Sequence, residues 1–247
     1  MLELINAIVL GASLGIIVTV LTAQADISWN ARRWAIAGIL FWTVLVVAGA
    51  AAGHFTPGTP GIVIQPPAIF AAAAVALSIA WFFSAQFRRA MLSIPLQALV
   101  GLNVLRVLGV FFVAGYFMHK LAAPFGPVAG LGDTITGLVA IPLAISIARG
   151  SFSKSSVAWW NAFGALDLFT ALTLGALSQD GVPFRVFFGE PGLTALTQLP
   201  SVIVPTILVP IYLLVHLTVA NRLGEAPARQ AAYATALLSS KSGLPAA

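Results

Sequence analysis

Gly101-Leu-Asn103-Val-Leu-Arg106, Gly130-Leu-Gly132-Asp133-Thr134 and Trp160-Asn161-Ala-Phe-Gly164-Ala-Leu-Asp167 lie in three successive apolar runs between Leu99 and Asp167. An Arg, two Asp and two Asn stand there in sequence that otherwise reads as lipid solvent. Each charge costs about 2.5–3.5 kcal/mol at the centre of a membrane helix, while each Leu, Ile, Phe or Val returns only about 0.3–0.6. The surrounding aliphatic residues suffice for insertion. Charges kept at that cost read as partnered or functional groups.

The rest of the chain has the same solvent in mind. Of 247 residues 60% are hydrophobic and 8% charged, and the mean hydropathy is +1.00. Soluble domains carry about a quarter charged residues, so a globular surface could not be solvated. The composition therefore predicts an all-α integral membrane bundle of one domain, with the lipid bilayer as its first partner. The absence of Cys excludes disulfides, thiol catalysis and cysteine-ligated metals. An excess of five positive charges reports orientation in such a protein rather than nucleic-acid binding. Ala23-Gln24-Ala25 resembles a signal cleavage site, but Glu3 replaces a basic n-region and the apolar run from Leu4 to Thr22 is too long. It reads as a retained first helix.

Apolar runs of about twenty residues, the length that crosses a bilayer core, number seven: residues 2–22, 34–53, 68–87, 94–118, 127–148, 157–178 and 198–220. Basic residues fall after every second one, at Arg32 and Arg33, Arg88 and Arg89, Arg149 and Lys154, then Arg222, Arg229 and Lys241. The opposite loops hold only Lys120 and Arg185. The positive-inside rule then puts the N-terminus outside and the C-terminus in the cytoplasm, as in a bacterial inner-membrane protein. Residues 1–221 form the membrane domain. Residues 222–247, rich in Ala and Ser, read as a disordered cytoplasmic tail.

Two outer loops stand apart. Residues 54–67 are apolar and rich in Pro and Gly, suiting a cap folded over the helix ends. Residues 179–192 carry three charges among aromatics, as an interfacial segment or an outer gate would.

Depth follows from the 1.5 Å rise per helical residue. Arg106 and Asp167 each lie about 16–18 Å from the outer end of their runs, near the midplane, and Asp133 lies about 9 Å down. Asn103 shares a face with Arg106 at i, i+3, and Asn161, Gly164 and Asp167 step round an arc centred on Gly164. The simplest arrangement pairs Arg106 with Asp167 and lets Asp133 reach the other edge of the guanidinium. In the seventh run Pro200, Pro205 and Pro210 each free a carbonyl about four residues upstream. Ser201, Pro205, Tyr212 and His216 share a face there, with His216 near the inner surface.

Gly130-Leu-Gly132-Asp133 resembles the Gly-x-Gly-Asp motif of intramembrane aspartyl proteases of the presenilin and signal-peptide-peptidase type. The resemblance implies a two-carboxylate dyad with Asp167 as the second member. It covers four residues, the family's other Asp precedes the motif whereas Asp167 follows it, and the Pro-Ala-Leu signature is missing. Seven spans also resemble the rhodopsins, but no Lys lies within a span to hold retinal. His54 and His119, both at outer helix ends, are the candidate haem ligands, and quinone or haem binding is a further reading. No His-x3-His spacing, phosphate loop or Ser/His/Asp order is present, and no cofactor is expected.

Two functions from different classes follow. In one, a polar cavity among the last four spans binds or transports a small solute or ion. Arg106 is then the recognition cation for an anionic group, Asp167 and Asp133 set its geometry, and Asn103, Asn161 and Tyr212 supply hydrogen bonds. In the other, the charges are a helix clamp in a structural or assembly subunit, with an oligomer or membrane complex as partner.

Overall fold

The computed structural model describes residues 2–58 and 63–224, which form helices and turns with no strand among them. Seven helices are long and apolar enough to cross a membrane: α1 (Leu2–Gln24), α2 (Trp29–Ala51), α3 (Pro66–Phe83), α5 (Leu96–Phe117), α6 (Phe125–Ala148), α7 (Lys154–Ser178) and α8 (Val204–Gly224). A short helix, α4 (Ala85–Ser93), sits between α3 and α5. Trp34, Phe41, Phe83 and Trp159 stand exposed on outer surfaces, where lipid rather than water suits them. Length, composition and these faces mark a membrane protein.

Helix ends depart from the sequence reading where a polar side chain offers a cap. Ser28 Oγ accepts from the Ala31 amide at 3.2 Å, so α2 begins at Trp29 and takes Arg32 and Arg33 into its first turns instead of leaving them in a loop. Ser84 is extended and its Oγ accepts from the Phe87 amide at 3.1 Å. The third run therefore stops at Phe83, and the residues expected to finish it start α4. Pro66 and Pro67 open α3, where a missing N–H costs nothing. Residues 198–203 were expected in the last span, but turns and a single residue of helix precede α8. At its other end α8 runs to Gly224, past the expected boundary at 221. The expected tail, from residue 225 on, and residues 59–62 of the first outer loop lie outside the described residues.

Two of the long helices are not α-helical throughout. α5 tightens to a 3-10 helix over Asn103–Gly109, and α8 opens as a π-helix over Val204–Leu208. Pro210 cannot donate to the Thr206 carbonyl, and that carbonyl accepts instead from Trp42 Nε1 of α2 at 3.1 Å. The proline thus turns a lost helical bond into the stitch that holds α2 to α8.

The core runs through the bundle from α1 to α8, and the polar part of it sits among α5, α6, α7 and α8. α6 lies along the 3-10 segment of α5 and also against α7. That contact needs glycine. A Cβ on Gly130 would stand 2.8 Å from the Gly109 carbonyl oxygen and from the Val113 amide, and one on Gly137 would meet the Val107 amide nitrogen. Gly126, Gly130 and Gly137 make a small-residue seam, the usual way for membrane helices to approach closely. At the end away from the arginines, Arg185 pairs with Asp180 and lies 5.1 Å above the Phe188 ring. Thr56 and Thr197 hydroxyls, 3.3 Å apart, tie the segment after α2 to the one before α8.

Candidate functional site: a buried arginine cluster

A 3-10 helix has three residues per turn, so positions i, i+3 and i+6 line up. Over Asn103–Gly109 this aligns Asn103, Arg106 and Gly109, and all three are buried. Gly109 meets the α6 seam, the Arg106 side chain reaches α6, α7 and α8, and Asn103 bonds back to the Leu99 carbonyl of its own helix.

The Arg106 guanidinium is then held from four sides. Nε donates to Asp133 Oδ1 of α6 at 2.6 Å, and Nη2 donates to Asp167 Oδ2 of α7 at 2.6 Å. Nη1 donates to the Gly164 carbonyl oxygen at 3.2 Å and lies 2.9 Å from His216 Nε2 of α8. Asn103 Oδ1 is a longer neighbour at 3.5 Å, and the Tyr212 ring centroid lies 5.7 Å from the guanidinium carbon. Such charge-assisted bonds are the strong kind, and the planar guanidinium suits two carboxylates on different edges.

The hydrogen bonds also assign the histidine. A guanidinium only donates, so His216 Nε2 accepts and the ring proton sits on Nδ1. Nδ1 then donates to Asn161 Oδ1 at 2.9 Å, which leaves the Asn161 amide to donate to the His216 carbonyl at 3.2 Å. Every polar atom in that chain is used in one consistent direction, with a neutral imidazole. Trp160 Nε1 closes the edge of the site by donating to the Thr136 carbonyl at 3.0 Å.

Two more glycines make room for these groups. A Cβ on Gly132 would overlap the Asp167 carboxylate, and one on Gly164 would come within 2.6 Å of His216 Cε1. The second Gly of Gly130-Leu-Gly132-Asp133 therefore clears space for a neighbouring carboxylate.

Arg106, Asp133, Asp167, Asn103, Asn161 and Tyr212 are thus gathered round one guanidinium. His216 joins them although its depth had placed it near the inner surface. The reason is the later start of α8. Counted from Val204, His216 lies about 18 Å along the helix, close to its middle. Its phase with Tyr212, four residues earlier, was the signal that could have found it. His54 and His119 stand elsewhere, in the turn after α2 and just beyond α5. Among the described residues no three His, Asp or Glu are grouped to hold a metal ion.

Two cavities reach the cluster. The larger, about 250 Å³, lies between α1, α5 and α8 under residues 195–201, with Leu105, Phe112, Leu208 and Tyr212 on its walls. The larger cavity takes one wall from α1, outside the last four spans. The smaller, about 70 Å³, lies between α3, α7 and the start of α8. Both are lined by Asp133. Its side chain is 16% exposed, against 1% for Arg106 and 6% for Asp167.

Fold and site together define a polytopic membrane protein with a buried, multiply hydrogen-bonded arginine beside an open cavity. Residues 63–224, well over half of the chain, match the family described as a domain of unknown function, DUF8737, and the chain belongs to that family. No curated protein and no solved structure matches it.

Proposed function

We propose that this protein binds a small solute within the membrane, and passes it across, using the larger cavity with Asp133 as the polar contact. The observation that carries the reading is the double engagement of Asp133. It is fixed by Arg106 on one side and lines both cavities on the other. Arg106 also lines the larger cavity, but its side chain is only 1% exposed and Asp167's 6%, so the two chiefly orient that carboxylate. Intramembrane ionisable groups that face a cavity mark solute and ion pathways.

The orientation belongs to the same proposal. Arg32, Arg33, Arg88, Arg89, Arg149, Lys154 and Arg222 gather at one end of the bundle, which supports a cytoplasmic placement of that end in a bacterial inner membrane. Native mass spectrometry of the gently solubilised protein tests the binding. A co-purified small molecule is expected on the wild type and absent from Ala114→Phe, which fills the cavity from α5. Equal spectra from the two proteins would refute the site.

One observation favours the second reading, a helix clamp in an assembly subunit: a single guanidinium joins groups from α6, α7 and α8. On that reading Ala114→Phe changes no bound mass and no transport phenotype, while Asp167→Asn lowers stability.

A further inference from the structure

We infer that the solute of this cavity is a compact organic monocation, an ammonium group on an apolar body, with its charge seated at Asp133. The inference rests on the cavity reading above and gives the ligand its sign. Most of the Arg106 donors are already taken. Its Nε and Nη2 each donate to a carboxylate, and Nη1 donates to Gly164 and His216. Of the two charged groups of the cluster that line the cavity, Asp133 is the more exposed, 16% against 1% for Arg106, so an entering carboxylate or phosphate would meet its carboxylate before the guanidinium. The cluster holds two carboxylates against one guanidinium, and the histidine sits in its neutral form, so one carboxylate has no cation of its own. Of the two, Asp133 is the less covered.

The walls choose the rest of the molecule. Leu105, Phe112, Leu168 and Leu208 present hydrocarbon and aromatic surface to the larger cavity. Apolar surface of this kind accepts the body of the ligand, and aromatic faces tolerate its cationic head. A volume of about 250 Å³ suits a body the size of one ring with a short chain. Lys120 lines the larger cavity but is itself exposed. Its charge is screened over about 8 Å at physiological ionic strength, so it slows entry more than it weakens the seated complex.

The test uses three probes of like shape: 2-phenylethylammonium, 2-phenylethanol and phenylacetate. Each is titrated calorimetrically into the full chain in lipid nanodiscs, with empty nanodiscs subtracted. The ammonium is expected to bind saturably at least tenfold more tightly than the alcohol, with no saturable heat from the anion. Asp133→Asn is expected to weaken the ammonium at least tenfold more than the alcohol. Equal or tighter binding of the alcohol or the anion overturns the inference, as does saturable binding of none of the three. Should Asp133→Asn not fold, the rank order of the wild type decides, with Asp133→Glu expected to keep the preference. A bound mass lost in Ala114→Phe together with no ammonium preference defeats the ligand class and leaves the site standing. No bound mass and no probe binding defeat both.

Discussion

Three glycines of α1 and α2, Gly49 apart, and those of α6 are the same residue put to opposite uses. Gly11, Gly15 and Gly38 have open space where a Cβ would go, whereas Gly130, Gly132 and Gly137 are pressed against backbone or a carboxylate. The helices follow suit. In its most apolar stretch α8 is 67% buried and α2 is 6% buried. Lipid is as apolar as leucine, so greasy faces give membrane helices little reason to associate. Half the bundle is drawn together by close approach and by groups that lipid cannot solvate. The other half adds single polar stitches to its apolar packing, Trp42 to the Thr206 carbonyl and Asn6 to Ser201 at 3.2 Å.

The sharpest way to break this contrast is to remove the centre of the tight half. Arg106→Met leaves two carboxylates buried without a partner, and breaking a buried pair this way costs about 3–5 kcal/mol. Thermal unfolding in detergent should show the largest fall of any variant here. Adding Asp133→Asn and Asp167→Asn should recover part of it, because no uncompensated charge is then left. Failure to recover would mean that the arginine stem, not its charge, holds the helices.

Next comes the seam. Gly137→Ala drives a methyl into the α5 backbone and should cost about 1–3 kcal/mol, the usual range for overpacking. Gly38→Ala, with nothing near it, should cost none in the same assay and gain slightly in helix propensity. Equal effects at the two sites would erase the distinction between the halves.

A smaller effect is expected in the loose half. Trp42→Phe removes the donor to Thr206 and should cost about 1 kcal/mol, with faster amide exchange along α2 and unchanged exchange along α6. Smallest of all is the effect of topology reporters. The chain has no cysteine, so Ser151→Cys and Lys120→Cys can each carry a membrane-impermeant label. They are expected to react from opposite faces, Ser151→Cys from the cytoplasm, with the melting temperature unmoved. Labelling from the same face would refute the alternation of ends.

Much of the tight half was legible because charge in an apolar run leaves few choices. Arg106 and Asp167 at equal depth had to find each other or stay unpaired, and counting residues was enough to see it. The freed carbonyl four residues before Pro210 was legible for the same reason, although not that Trp42 would take it. What stayed hidden depended on partners. Nothing local distinguishes Gly130 from Gly15, since only the neighbouring helix decides whether a missing side chain matters. His216 was misplaced because hydropathy alone could not show that the chain would turn through residues 198–203 before entering α8. Ser84 read as one polar residue in a long run until its cap geometry divided α3 from α4.

The 3-10 segment of α5 has a mechanical consequence. A 3-10 helix rises about 2.0 Å per residue at 120° each, against 1.5 Å and 100° in an α-helix. Converting Asn103–Gly109 to α-helix would shorten α5 by about 3–4 Å and turn its two ends through about 140° relative to each other. The segment is a screw joint, and Arg106, at its middle, is the pin. Spin labels at Leu96 and Phe117 would report the shortening when the pin is loosened by Asp133→Asn, and an unchanged distance would show that the joint is locked by the glycine seam alone.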